Sequence, residues 1–184
     1  IRPESPADLD AIAALPGDGE ALMDGYGVTR RLGAPQDFHH RMNFKPVVNV
    51  NGFHGGYGGQ GSKTVLPAEG MVKLDFRLVP DQDPAKVVRL LRAHLDAQGM
   101  DDIEIVELES HQHPSRSDLS SPFVQTAARV AQQVHGHAPL LHPSSGGSGP
   151  MHPFMQHVGA PVVAMGIGNP VSYTHLRAHE TRHD

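Results

Sequence analysis

No cysteine occurs in the chain, so it has neither a disulfide nor a thiolate metal ligand to offer. Tryptophan is absent too, and aromatics make up only 5% of residues, so a core has few aromatic side chains to draw on. No apolar run approaches the roughly 20 residues that a membrane-spanning helix needs. No cluster of lysine and arginine marks a nucleic-acid surface or an anionic membrane face; the formal net charge is -5 and the basic residues are scattered. The first residue is Ile1 rather than Met, and no charged-then-apolar leader follows it, so the reading is of a chain that starts inside a longer protein or after processing.

What is present is a 184-residue chain with 38% hydrophobic residues and abundant glycine and proline, which suits one large or two small α/β units. Ser5-Pro6 is a helix start, a serine cap followed by proline at the first helical position. Leu9, Ile12 and Ala13 give that helix an apolar face, and Pro16-Gly17 ends it. Short helical turns are expected over 18–23 and 35–42. Val47 to Val50 reads as a strand stopped by Asn51-Gly52, with a glycine-rich loop from Gly55 to Gly61. Gly70 to Val79 carries the clearest period-2 alternation, Val72, Leu74, Phe76 and Leu78 against Lys73, Asp75 and Arg77, as in a half-buried sheet.

A helix follows over 85–97, striped by Val87, Val88, Leu91 and Leu95 and capped by Gly99, and then an expected strand from Ile103 to Leu108 with Ile103, Ile105 and Val106 inward. The polar segment His111 to Ser121 is the candidate domain boundary. Beyond it the pattern changes to α/β alternation: a helix over 122–134 with Phe123, Ala127, Val130 and Val134 on one face, a short strand at 138–141, a glycine loop opening a helix to about His157, and a buried strand over 162–165. Residues 171–184 break with this style and resemble the translation of a sequencing adapter; they are set apart from the fold.

Several motifs carry both a chemical and a plain structural reading. The fourteen histidines include the close pairs His39-His40, His111/His113 and His135/His137, but none lies near a His-x-Asp or Glu-Glu pattern, and solvated or packed side chains explain them. Gly55-Gly56-Tyr57-Gly58-Gly59 can be an anion cradle or a hairpin loop; it lacks the Lys-Ser/Thr order of a nucleotide loop. Arg77 can pair with Asp75, two residues away on the same face, or capture a substrate carboxylate with its guanidinium fork. The run Ser144-Ser145-Gly146-Gly147-Ser148-Gly149-Pro150 precedes a helix, where Ser148 is either an ordinary cap or part of an anion site.

In order along the chain stand Asn49-Val50-Asn51-Gly52, Gly55 to Gly61, Lys63-Thr64-Val65-Leu66-Pro67-Ala68, Arg77-Leu78-Val79-Pro80-Asp81-Gln82-Asp83-Pro84, Gly146 to Met151 and Gly159-Ala160-Pro161-Val162-Val163. This string resembles the co-catalytic zinc peptidase family of aminoacylases, acetylornithine and succinyl-diaminopimelate deacylases, glutamate carboxypeptidases and carnosinase-like dipeptidases, with the bacterial dipeptidase branch nearest. The resemblance covers almost all of 1–170. It implies an α+β fold: a ferredoxin-like lid (dimerisation) domain over 1–110, an antiparallel sheet with helices on one face, followed over 111–170 by the C-terminal portion of an α/β catalytic domain.

The resemblance also implies roles. Thr64 and Arg77 hold the substrate, the arginine taking its terminal carboxylate, and the glycine loop adds hydrogen bonds through Gly147 and Ser148. It implies a small peptide or N-acyl amino acid substrate, a homodimer through the lid, a cytoplasmic setting and two zinc ions in the complete protein. The His-x-Asp, the bridging Asp, the Glu-Glu pair with the general base and the lid's His-Ser-Gly motif of that family are not found in this chain. The last zinc histidine normally stands in a His-Ala-Pro-Asn-Glu motif. Here His175 is followed by Leu176-Arg177-Ala178, and no metal role is carried onto it. The expectation is therefore a piece of an amide hydrolase that is inactive alone. The competing readings are a ferredoxin-like dimerising or ligand-binding module without catalysis, which leaves the second α/β segment unexplained, and, more remotely, a nucleotide-binding protein.

Overall fold

A computed structural model of the chain describes residues 1–17, 19–30, 33–108, 111–145, 147 and 149–166. The expected tail, Gly146 and Ser148 lie outside the described residues, as does His175. Helix α1 (Pro6–Ala13) leads to α2 (Glu20–Gly25), then to a 3-10 turn (Pro35–Asp37) that runs into α3 (Phe38–Phe44). Strands β1 (Val47–Gly55) and β2 (Gly70–Arg77) follow, then α4 (Pro84–Ala97) and α5 (Pro122–His135). A single helical turn, α6 (Met151–Pro153), widens into a π turn (Phe154–Val158).

The helix ends obey the chemistry read from the sequence. Ser5 caps α1 with Pro6 at its first position, and Asp8 closes a reciprocal capping box: the Asp8 N–H donates to Ser5 Oγ (3.2 Å) and the Ser5 N–H to Asp8 Oδ2 (2.9 Å). Asp83 caps α4 and Ser121 caps α5, each with proline just inside the start. Gly99 and Gly136 follow the two long helices at positive φ (71° and 77°), where a side chain would be strained.

β1 and β2 form an antiparallel hairpin, two strands among the described residues. Asn51-Gly52 does not stop β1, as the sequence reading had it. Asn51 is the extra residue of a β-bulge, between Val50 opposite Leu74 and Gly52 opposite Lys73. The bulge has a consequence for phase. In an unbroken strand Phe53 would fall on the face of Val47 and Asn49. The inserted residue moves it opposite Val72, so Val48, Val50, Phe53, Val72, Leu74 and Phe76 share one face. The other carries Asn49, Lys73, Asp75 and Arg77. The alternation is as expected but its burial is not: Val50 and Phe53 are 65% and 78% exposed, and Val48, Val72 and Leu74 are exposed too.

Three expected strands are not formed. Ile103–Leu108, 138–141 and 162–165 are extended but pair with no neighbour among the described residues. A strand exists through its partner's hydrogen bonds, and the first and last of these segments are held by distant side chains instead. The Arg92 guanidinium donates to the carbonyls of Ile103 and Met100 (2.5 and 2.8 Å). Ser117 Oγ both donates to the Val162 carbonyl and accepts from the Val162 N–H, each at 2.8 Å. Of the expected inward residues only Ile105 is half-buried; Ile103 and Val106 are exposed.

Two helices also sit turned from their expected faces. On α5 the buried residues are Val124 and Ala131, while Phe123, Val130 and Val134 are exposed. On α1 the buried residue is Asp8, not Leu9. The reason for the second is Arg116, whose guanidinium lies 3.5 Å from Asp8 with both side chains 5% exposed. Arg116 also donates to the Pro3 carbonyl (3.1 Å) and lies over the Phe44 ring, 5.1 Å from its centroid. The apolar core around this pair is modest, with Leu15, Phe44, Val79, Leu119, Val124 and Ala131 buried.

Asp8 therefore has two tasks, and its removal leaves a buried cation unpaired. Asp8→Ala should destabilise the chain by about 3 kcal/mol, the cost of breaking a buried pair from one side. Ser5→Ala, which removes the cap alone, should cost about 1 kcal/mol. Urea unfolding midpoints of the two variants check this; equal losses would show that the Arg116 contact contributes nothing beyond the cap.

Candidate functional site

The candidate residues divide between the hairpin and the loop before α6. Arg77 closes β2 at the open end of the hairpin, opposite Val47, and its guanidinium is exposed on the polar face. Its Nε–H donates to Asp75 Oδ2 at 2.6 Å, the same-face contact that the alternation requires. Thr64 is exposed in the connection between Gly55 and Gly70, at the closed end. That connection is a hairpin loop, in which the Tyr57 hydroxyl donates to the Gln60 carbonyl (3.1 Å) and the Lys63 ammonium lies over the Tyr57 ring. Seven strand steps separate Gly70 from Arg77, about 23 Å at the usual rise. The hairpin thus brings Arg77 together with Asp75 rather than with Thr64.

In the glycine loop, Gly147 is exposed and its N–H donates to Ser145 Oγ (3.2 Å), while Ser148, the other candidate there, lies outside the described residues. The base of the loop is fixed from a distance. The Ser144 N–H donates to Oδ1 of Asn43 (3.3 Å), a side chain from α3 that is almost wholly buried.

A cleft of about 330 Å³ is lined by residues that include Arg2, Asp81, His113, Arg116 and His152, and Thr64, Arg77 and Gly147 are not part of its wall. The His113 and His152 rings stack with centroids 4.9 Å apart. The turn that follows β2 forms its rim. The Gln82 N–H donates to the Val79 carbonyl (3.2 Å), Pro80 stands second and Asp81 third at φ 68°, the pattern of a type II turn with aspartate in the left-handed position. Arg2 grips the turn: its N–H donates to the Pro80 carbonyl (3.0 Å) and its guanidinium to both Asp81 oxygens (2.9 and 3.4 Å). The hydrogen bond from Arg2 is the main cause that holds the Asp81 carboxyl below its ordinary pKa.

Of the other histidines, His39 is buried in α3, His40 contacts Glu4 (3.1 Å) and His111 contacts Glu107 (3.3 Å). No group of three or more His, Asp or Glu among the described residues is placed to hold a metal ion, so the described residues do not fit the zinc that the resemblance implies. Sequence reasoning did not single out Asn43, Arg116 or Ser117. Asp8 did carry a signal, the Ser5-x-x-Asp8 spacing of a capping box.

Comparison with known proteins decides the family. A model described as the peptidase dimerisation domain of the M20 peptidases matches residues 10–102, just over half of the chain. The chain belongs to the M20 metallopeptidase family. It is 39% identical over 59 residues to the Cys-Gly metallodipeptidase DUG1 of Saccharomyces cerevisiae, a match covering 32% of this chain and 12% of that protein. Its structure resembles the M20 family metallo-carboxypeptidase Sso-CP2 from Sulfolobus solfataricus, with a TM-score of 0.73, 34% identity, and coverage of 86% of this chain and 36% of that one. The solved structure of the dipeptidase Dug1p from Saccharomyces cerevisiae shares the fold, with a TM-score of 0.71 at 24% identity over 92% of this chain and 36% of that one. The chain thus spans about a third, or less, of the M20 proteins it matches. The mixed α and antiparallel β architecture is that of an M20 lid followed by part of a catalytic domain.

The Arg2 tether is testable by pH. A carboxyl whose folded pKa lies below its unfolded value contributes stability above the ordinary carboxylate range, roughly pH 4. That contribution disappears as the pH falls through the depressed folded value. Carbon-detected NMR titration should place the Asp81 midpoint below the ordinary range in the unaltered chain, and Arg2→Gln should raise it. An unchanged midpoint in the variant would remove Arg2 as the cause.

Proposed function

We propose that this chain is a piece of a zinc-dependent dipeptidase or carboxypeptidase-like amide hydrolase, in which it supplies the dimerising lid and a grip on the substrate's carboxylate. On this reading residues 1–110 are the lid, 111–170 belong to the catalytic domain and 171–184 are foreign to both. The substrate is a peptide or N-acyl amino acid, the assembly a homodimer through the lid. The chain has no hydrolytic activity by itself, because zinc and the general base would be held by residues outside those described. No helix among the described residues is long and apolar enough to cross a membrane.

The observation that carries the reading is the placement of Arg77. Its guanidinium is on the polar, exposed face of a lid strand, with Asp75 on the Nε edge. A guanidinium fork matches a carboxylate in a way an ammonium does not. Holding the terminal carboxylate orients the scissile amide, so the arginine contributes by positioning rather than by proton transfer. Gly147, and Ser148 beside it in sequence, would add hydrogen bonds from the other side. Thr64 is assigned through the family resemblance, since the hairpin itself sets it at the end away from Arg77.

In the complete protein, Arg77→Lys should raise the KM for a dipeptide roughly tenfold to a hundredfold, the worth of one to two charge-assisted hydrogen bonds. An ester or amide of the same dipeptide, lacking the terminal charge, should show little difference between the two enzymes. Steady-state kinetics on both substrates checks this. An equal loss on charged and uncharged substrates would remove the carboxylate from the explanation. The non-catalytic binding-module reading gains support only if the complete protein hydrolyses neither.

A further inference from the structure

Asn43 has essentially no exposed surface, and nothing in its sequence context explains a buried amide in a short helix. Its two polar ends are both used. Nδ2 donates to the His39 carbonyl one turn back (2.8 Å), and Oδ1 accepts the Ser144 N–H (3.3 Å), a contact that spans 101 residues. These partners fix the orientation of the amide: a carbonyl can only accept and a backbone N–H can only donate, so a flipped Asn43 would face both wrongly. The helix below is itself anchored. His39 Nε2 lies within 3.2 and 3.1 Å of the Pro16 and Gly17 carbonyls, which makes it the protonated nitrogen, and His39 Nδ1 is buried with no partner.

We infer that Asn43 is a positioning residue for the glycine loop, fixing the Ser144 backbone at the root of the loop whose exposed Gly147 is assigned to the substrate anion. The inference rests on the carboxylate-grip reading and extends it to a residue that touches no substrate. Asn43 lies inside the segment matched by the dimerisation-domain model and Ser144 lies outside it. The strut therefore joins the dimerisation segment to the segment beyond the crossover. From Ser144 the chain continues to Ser145, whose Oγ accepts the Gly147 N–H, so an error at the base is carried to the exposed end of the turn. Glycine-rich backbone cannot hold one orientation by its own torsional preferences, and an external hydrogen bond at its root is a direct way to limit them. The Asn43 side chain is buried, and leaving its Oδ1 without a donor would also be costly, so the contact with Ser144 is favoured.

The test has two arms. In the first, amide hydrogen exchange is followed by NMR in the 184-residue chain. The Ser144 amide should be protected, whereas the exposed glycines of the 56–61 loop should not. Asn43→Ala should speed Ser144 exchange about tenfold and shift the Gly147 amide, while the α4 amides stay unchanged. Asn43→Asp keeps an acceptor oxygen and should retain more of the Ser144 protection than the alanine variant. In the second arm, Asn43→Ala in the complete protein should raise the KM for a dipeptide with kcat nearly unchanged, the pattern of lost binding rather than lost chemistry.

An unprotected Ser144 amide in the unaltered chain overturns the strut, needs no variant to fold, and leaves the assignment of Arg77 standing. Loss of protection in the alanine variant without a rise in KM overturns the coupling to substrate. Failure of the functional reading itself looks different: Arg77→Lys then leaves the KM untouched, while Ser144 exchange still responds to Asn43.

Discussion

The buried contact between Asp8 and Arg116 is the constraint on which the arrangement of the two halves depends. Two opposite charges withdrawn from water are a poor source of net stability, since desolvation offsets most of their attraction. Their value here is geometric. Asp8 can satisfy Arg116 only where the capping box has already fixed the start of α1, and Arg116 can reach it only if the crossover passes beneath that helix end. The next residue, Ser117, clasps both polar groups of Val162. On the other side, Arg2 holds the turn that ends β2. A short polar chain of contacts therefore runs from the hairpin end that carries Arg77, through the first residues of the chain, to the segment beyond the crossover.

That this linkage is polar follows from how little else there is. Six apolar side chains are buried among the described residues, while most of a hairpin face and half of α5 show aliphatic and aromatic groups to solvent. An apolar face with five exposed residues on a two-stranded sheet is unusual for a self-sufficient domain, because a hairpin alone is marginal in water. It accords with a chain that spans about a third of its M20 relatives. The bulge at Asn51 supports the same view: a residue is spent to bring Phe53 into phase with Val48 and Val50, which is informative only if that face has something to meet.

The local grammar of the fold was legible in the sequence, and its long-range pairing was not. The helix start at Ser5, the helices over 85–97 and 122–134, Gly99 after α4 and the alternation of β2 are written in neighbouring residues and appear where expected; the caps by Asp83, Ser121 and Gly136 are further local signals. The strands at 103–108, 138–141 and 162–165 depend on partners, which a local pattern cannot reveal. The rotation of α1 depends on one distant arginine, and the helix exposes Leu9 at 48% to let Asp8 inside. For the site, Arg77 stood out because period-2 alternation assigns it a face. Asn43 did not, since a single amide in His39-His40-Arg41-Met42-Asn43-Phe44 looks like any surface residue until Ser144 is brought to it.

The Arg77–Asp75 contact gives the guanidinium a carboxylate already, as the plain structural reading has it. Energetics argue otherwise. Both side chains are substantially exposed, 45% and 31%, and an exposed pair of this kind contributes roughly 0–1 kcal/mol. On the proposed function, a substrate carboxylate held by the same guanidinium would form charge-assisted bonds worth about 1.5–3 kcal/mol each. Asp75 engages the Nε edge and restricts the rotamer freedom of the arginine. On the proposed function the local partner and the ligand are not rivals, because an exposed contact of this kind is the weaker of the two.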